Sequence, residues 1–318
     1  MHHGGLLLSA SPTPRRPCPP VQAAAAAQRP LPGWAAALVA LVLPAICVRM
    51  LGPALIPQIT MLASLAAPED PLSVAATELG ATLIILGPLL LVAAASMRLI
   101  EVRPQAVGAV KPLRSALWGG ALGLVALLAA LGAALAASTF SVRISGISAV
   151  AAASAVVIVL MQASIEEYFF RGWLQPILAA RWGRTAGLVC AALLFSAAHA
   201  WDHGISVLAY LNDALAGLAF GLLAARTGSL WAPIAAHFAW NFTEANVLGA
   251  FPNPGLDPLG SAYDIDFFGS GLWTGGSEAL NGALGTTFAL LALAAVVAYR
   301  GPRADSSSVA AYEASGVH

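Results

Sequence analysis

The stretch ISAVAAASAVVIVLMQASIEEYF, residues 147–169, runs nineteen positions without a charge and then places two glutamates side by side. As a helix at ~1.5 Å per residue it covers the ~30 Å of a bilayer's hydrocarbon core. Its Ala and Leu content and its lack of alternation favour a helix over a buried strand. Carboxylates at the end of such a helix either reach the interface or face an interior cavity, and the rest of the chain decides between these.

Outward from this stretch the sequence has the same character. Of 318 residues 59% are hydrophobic and 9% are charged, and the mean hydropathy is +0.80. A soluble domain carries roughly 25% charged residues, so these charges are too few to coat a water-exposed globule. The 15 basic and 15 acidic residues cancel, and no global field favours nucleic acid. Cys18, Cys47 and Cys190 lack metal-ligand spacing and read as small buried hydrophobes.

The hydropathy predicts an all-α, polytopic transmembrane bundle of about eight spans, near 34–51, 74–97, 115–137, 147–169, 185–201, 204–225, 229–247 and 279–299. Spans four to seven are expected to form the active-site core. The expected organisation is a disordered cytoplasmic arm (1–30), N-terminal transmembrane helices (31–146), a catalytic helical core (147–250), an extracytoplasmic loop (251–278), a last transmembrane helix (279–300) and a disordered cytoplasmic tail (301–318). With the N-terminus inside, Arg15, Arg16, Arg29, Arg98, Arg103, Lys111, Arg114, Arg171, Arg181, Arg184, Arg226, Arg300 and Arg303 fall at or near the inner face, against Arg49 and Arg143 outside. That bias is the positive-inside pattern. Glycines at 119, 120, 123, 217 and 221 would let helices approach closely.

Ionisable groups inside spans cost at least ~2.5 kcal/mol each near the bilayer centre and by default face the bundle interior. Here they are Glu78, Glu166, Glu167, Asp213 and Glu244, with His199 and His237. Glu167 and Arg171 stand at i and i+4, an ion-pair spacing, and Glu166 points about 100° away. Residues 181–184 (Arg-Trp-Gly-Arg) read as a turn. Glu166 and His199 are equidistant from it and would stand level in an antiparallel hairpin, provided that the fourth helix continues to about residue 180 with Arg171 snorkelling toward the cytoplasm. His237 and Asn241 lie one turn apart on one face. Asp213 falls near the same depth and either lines the cavity or bonds between helices, while Glu78 and Glu244 are expected only to make interhelical hydrogen bonds.

A Glu, two His and an Asn in a dry bundle suit amide hydrolysis by an activated water. Glu166 would take the proton and His199 position the water, while His237 and Asn241 donate to the oxyanion. Neither Ser164 nor Ser196 lies in a nucleophile elbow. The same carboxylates could serve a transporter, against which the lack of internal repeats counts.

The ordered set Glu166-Glu167-x-x-x-Arg171, Phe195-x-x-x-His199 and His237-x-x-x-Asn241 resembles the CPBP family of intramembrane endopeptidases, also called the CAAX protease, bacteriocin-processing or Abi family. GLAFGLL (217–223) and TGSLWAPI (227–234) resemble its intervening segments, so the likeness covers about residues 150–250. It implies a membrane-embedded peptidase acting on a membrane-associated protein or peptide, lipidated in the CAAX branch, with no nucleic-acid partner. Glu166, His199, His237 and Asn241 would be catalytic, with Glu167 and Arg171 holding the helix in place. The charge bias places both termini in the cytoplasm, and the expected location is a bacterial inner membrane; the competing reading is a non-catalytic immunity or scaffold protein of the same fold. The mechanism is expected to need no cofactor; zinc or another divalent metal held by Glu166, His199 and His237 is the alternative. Against it stands the absence of a carboxylate beside either histidine in the sequence.

Overall fold

The computed structural model describes residues 31–66, 70–99, 112–200, 206–250 and 257–300. The expected arm (1–30) and tail (301–318), and with them Arg15, Arg16, Arg29, Arg103, Lys111 and Arg303, lie outside the described residues.

The described chain is an all-α bundle with one short ribbon. Helix α1 (Gly33–Ile46) runs through a π-helical turn (Cys47–Leu51) into α2 (Gly52–Ala66). Helices α3 (Pro71–Leu99) and α4 (Pro112–Ala137) follow, then strand β1 (Thr139–Ile144). Helix α5 (Ala149–Glu167) continues through a π-helical turn (Tyr168–Leu174) into α6 (Gln175–Trp182). Then come α7 (Arg184–His199), α8 (Val207–Thr227) and α9 (Trp231–Phe242), which ends in a π-helical turn (Thr243–Leu248). Strand β2 (Tyr263–Phe268), the short α10 (Gly271–Thr274), a 3-10 turn (Gly276–Gly282) and α11 (Leu284–Arg300) complete it.

Six helical segments are long and apolar enough to cross a membrane by length and composition: Gly33–Ala63, Pro71–Arg98, Pro112–Ala137, Ala149–Trp182, Val207–Thr227 and Gly276–Tyr299. The two remaining expected spans are the shorter α7 and α9. The first span runs well past the expected residue 51, so Arg49 lies inside a long helix instead of at its end. The fourth helix reaches Trp182, as the hairpin reading requires, and turns at Gly183, whose φ of 88° suits a residue without a Cβ. Ser148 and Ser206 cap α5 and α8, their hydroxyls accepting from the backbone N–H of Ala151 and Ala209 at 3.1 Å.

The exterior carries apolar side chains, among them Leu91 at 70% and Leu117 at 67% exposure, while Glu166, Glu167, Arg171, Asn212, His237 and Glu244 are buried. That inversion is what a hydrocarbon solvent selects. Small residues set the spacing between helices. A Cβ on Gly119 would lie 2.0 Å from the Ala232 carbonyl oxygen and one on Gly123 2.4 Å from that of Ala236, so α4 and α9 touch backbone to backbone. Gly217 packs in the same way on Ala192, whose Cα would be 2.9 Å from an added Cβ.

The strands are an addition to the all-α expectation. β1 and β2 pair antiparallel from Thr139↔Phe268 to Ile144↔Tyr263. Arg143 donates to Asp264 at 2.6 Å and to Asp266 at 3.1 Å, and the hydrogen bond to Asp264 holds the guanidinium pKa above its ordinary value. The ladder fixes both connections at one end of the bundle, as expected for the loops carrying Arg143, Asp264 and Asp266. Four helical passes between them (α5–α6, α7, α8, α9) return the chain to that end.

Candidate active site

Glu166 and Glu167 close α5 where the helix widens into its π turn, a geometry that re-aims side chains at a helix end. Glu167 is fully buried. Its Oε1 accepts a hydrogen bond from Arg171 Nη1 at 2.8 Å and another from His237 Nδ1 at 2.9 Å. The Glu167–Arg171 spacing thus gives the expected ion pair. The second bond corrects the expectation that no carboxylate attends either histidine: Glu167 reaches across from α5 to α9, a contact between residues 70 positions apart.

Arg171 does not snorkel. It is 4% exposed, donates Nη2 to the Gly217 carbonyl at 3.2 Å, and stands 4.3 Å from the centroid of the Phe195 ring. The core supplies an anion, a carbonyl and an aromatic face, so the guanidinium has no need of the interface. Its assignment to the inner-face charges is corrected accordingly. One turn on, Gln175 Nε2 repeats the pattern with the Gly221 carbonyl at 3.1 Å, and these two bonds lock α8 in register with the α5–α6 helix.

His237 is held on three sides. Glu167 takes its Nδ1, the Phe220 ring stacks on it at 5.2 Å and 25°, and Phe195 approaches edge-on at 6.1 Å. Its Nε2 then points toward Glu166, 4.0 Å from Oε2. The other Glu166 oxygen, Oε1, accepts from Gln162 Nε2 at 3.2 Å. Oε2 is buried and has no hydrogen-bond partner among the described residues. Gln162 escapes the sequence reading, although its position one turn before Glu166 is the signal that could have found it.

His199 ends α7. Its Nδ1 lies 2.9 Å from the Phe195 carbonyl, and because a carbonyl only accepts, Nδ1 carries the proton and Nε2 is the lone-pair nitrogen in the neutral ring. The rings of Phe195 and His199 are 4.7 Å apart, so Phe195 touches both histidines and Arg171 together. Asn241 is buried one turn along α9 from His237. Asp213, half-buried on α8, is within electrostatic reach of Glu166, His199 and His237. The preceding Asn212 anchors that turn, donating to the carbonyls of Asn281 and Ala283 at 2.8 and 3.0 Å and accepting from Thr287 Oγ1 at 2.7 Å. Glu244, expected to bond between helices, accepts from Trp240 Nε1 on its own helix at 3.0 Å and also has a side-chain hydrogen bond with Asn281 in the 3-10 turn.

Among the described residues no three His, Cys, Asp or Glu side chains gather closely enough to hold a metal ion. Glu166, His199 and His237 therefore do not make a ligand set as they stand.

Neither a curated protein nor a solved structure among those compared matches the chain. A family model does: its description is type II CAAX prenyl endopeptidase Rce1-like, and it matches residues 147–243. The matched stretch begins one residue before the N-cap of α5 and ends just past Asn241, so it contains Glu166, Glu167, Arg171, His199, Asp213, His237 and Asn241. Residues 147–243 of this integral, multi-pass membrane protein thus form a domain of the Rce1-like type II CAAX prenyl endopeptidase family, the CPBP family whose motifs the sequence carries.

Proposed function

We propose that this chain is an intramembrane endopeptidase in which Glu166 activates a water molecule for attack on a peptide bond of a membrane-associated protein or peptide. The observation that carries the reading is the state of the Glu166 carboxylate: one oxygen held by Gln162, the other buried, unpartnered among the described residues and 4.0 Å from His237 Nε2. Glu167 and Glu244 also each keep one buried oxygen without a partner among the described residues, but Glu167 is tied to Arg171 and His237 and Glu244 to Trp240, while the open oxygen of Glu166 looks onto the Nε2 edge of His237. An idle carboxylate oxygen in a dry bundle is a base awaiting a proton.

On this reading Glu166 Oε2 takes a proton from the water while His199 Nε2 accepts its other hydrogen and orients it. The oxygen attacks the carbonyl carbon, and the resulting oxyanion receives hydrogen bonds from His237 and Asn241. With Nδ1–H given to Glu167, His237 can donate from Nε2 only when its ring carries both protons. Collapse of the tetrahedral intermediate breaks the C–N bond, and protonated Glu166 returns its proton to the leaving amine. Asp213 lines the cavity. Residues 147–250 are the catalytic core, surrounded by the spans of 31–146 and 279–300, in a bacterial inner membrane with both termini cytoplasmic.

The test compares membrane-associated peptides in cells carrying the native chain, Glu166→Gln or His199→Ala. Both variants are expected to accumulate in the membrane and to leave the same peptide uncut. An active Glu166→Gln protein overturns the mechanism. Full rescue of a deletion phenotype by Glu166→Gln supports instead a non-catalytic scaffold of the same fold, and substrate-dependent flux in proteoliposomes a transporter.

A further inference from the structure

The β1–β2 ribbon has two chemically distinct faces. Side chains alternate along a strand, and residues paired across an antiparallel ladder share a face. One face therefore carries Phe140 with Phe267, Val142 with Ile265 and Ile144 with Tyr263. The other carries Thr139 with Phe268, which is 54% exposed at the end of the ribbon next to α4, and then Ser141 with Asp266 and Arg143 with Asp264, joined by the Arg143 ion pairs and a Ser141 to Asp266 hydrogen bond at 3.4 Å.

The apolar face is only half covered. On β2, Ile265 is 8% exposed and Phe267 packs against the cluster built by α4, α8, α9 and α11. On β1, Phe140, Val142 and Ile144 are 48%, 51% and 85% exposed. The packing of Ile265 and Phe267 lays the ribbon against the end of the bundle. Ser138 alone separates β1 from α4, whose own exterior is apolar up to that end, with Val125 at 63% and Leu128 at 48% exposure. The uncovered strand is therefore continuous with the lipid-facing surface of a membrane-crossing helix, and its ionic partner face looks the other way.

We propose that the ribbon is an interfacial anchor: Phe140, Val142 and Ile144 rest in the boundary between headgroups and acyl chains at the end of α4, with Arg143, Asp264 and Asp266 in water. Apolar bodies with polar backs are favoured at that depth. A two-stranded ribbon alone is marginal in water, so the bilayer supplies the layer that β1 lacks. The ribbon in turn fixes how deep α4 and α11, which flank it in sequence, sit in the membrane.

The test uses the full chain with Cys18, Cys47 and Cys190 replaced by alanine, reconstituted in phosphatidylcholine vesicles and spin-labelled at single positions. Labels at Val125 and Leu128 serve as the lipid reference and certify the fold; one at Ser141 reports the opposite face. Labels at positions 140, 142 and 144 are expected to collide with oxygen several-fold more often, relative to a water-soluble nickel complex, than the label at 141. Equal access to nickel on both faces overturns the proposal and places the ribbon in water. Shielding of 140, 142 and 144 from both reagents also overturns it, because protein would then cover β1: a second copy of this chain or a strand added to its open edge.

Discussion

Glu167 Oε1 lies 2.9 Å from His237 Nδ1 while also accepting from Arg171 at 2.8 Å, so one buried carboxylate oxygen joins the end of α5 to the middle of α9. The bond sets the orientation of the histidine ring and directs Nε2 at Glu166. Glu167 thereby does more than hold its own helix: it aims a neighbour of the candidate base.

Glu167 and Arg171 should therefore be separable in stability but not in activity. Either Glu167→Leu or Arg171→Met leaves an uncompensated charge in the core and is expected to cost about 3–5 kcal/mol, visible as a large drop in Tm. The double variant removes both charges and should recover most of that loss. It should remain inactive, because His237 has lost its anchor. Recovery of peptide cleavage together with Tm would show that Glu167 serves only to pair Arg171.

Gln162→Leu tests the other side of the site. The Gln162 amide fixes Glu166 Oε1 at 3.2 Å and so decides where Oε2 points. Losing a single neutral hydrogen bond costs about 1 kcal/mol, so Tm should move little. If the bond orients the base, kcat should fall about tenfold, the rate equivalent of ~1.4 kcal/mol in the barrier, with KM unchanged. A kcat at the native value would make Gln162 an ordinary helix-surface amide.

Much of this was legible in the sequence for a physical reason. Ion-pair spacing within a helix, as between Glu167 and Arg171, follows from a rise per residue alone, and the turn at Gly183 from the residue types around it. What was not legible needed packing. No local rule says that Arg171 finds Phe195 and the Gly217 carbonyl, or that α9 comes near enough for Glu167 to reach His237; both depend on glycines that let backbones meet. The ribbon carried a signal, the alternation of Thr139 to Ile144, which a search for long apolar runs passes over.

The glycines of α4 give a sharp contrast between neighbours. A Cβ at Gly123 would sit 2.4 Å from the Ala236 carbonyl oxygen, next to His237, whereas one at Gly120 meets nothing nearer than 3.7 Å. Gly123→Ala should thus push α9 away, cost about 1–3 kcal/mol as overpacking does, and lower activity. Gly120→Ala should be neutral or stabilising by up to about 1 kcal/mol through helix propensity. Thermal unfolding of the two variants in the same detergent decides it; equal effects would mean that α4 and α9 are not in backbone contact.

The last prediction concerns metal. Each histidine has committed its Nδ1, one to Glu167 and one to the Phe195 carbonyl, so only the Nε2 edges face the site. Those edges and Glu166 do not converge into a ligand set. If Glu166 drives hydrolysis without a Lewis acid, as proposed, the protein stripped with a strong chelator should cleave its peptide at the native rate. Glu166→Gln should stay inactive whether or not zinc is added. The opposite pattern, activity lost on chelation and restored by stoichiometric zinc, would mean that the two Nε2 atoms and Glu166 close around an ion when the substrate binds, and Glu167 would then be the carboxylate that orients a metal-bound histidine.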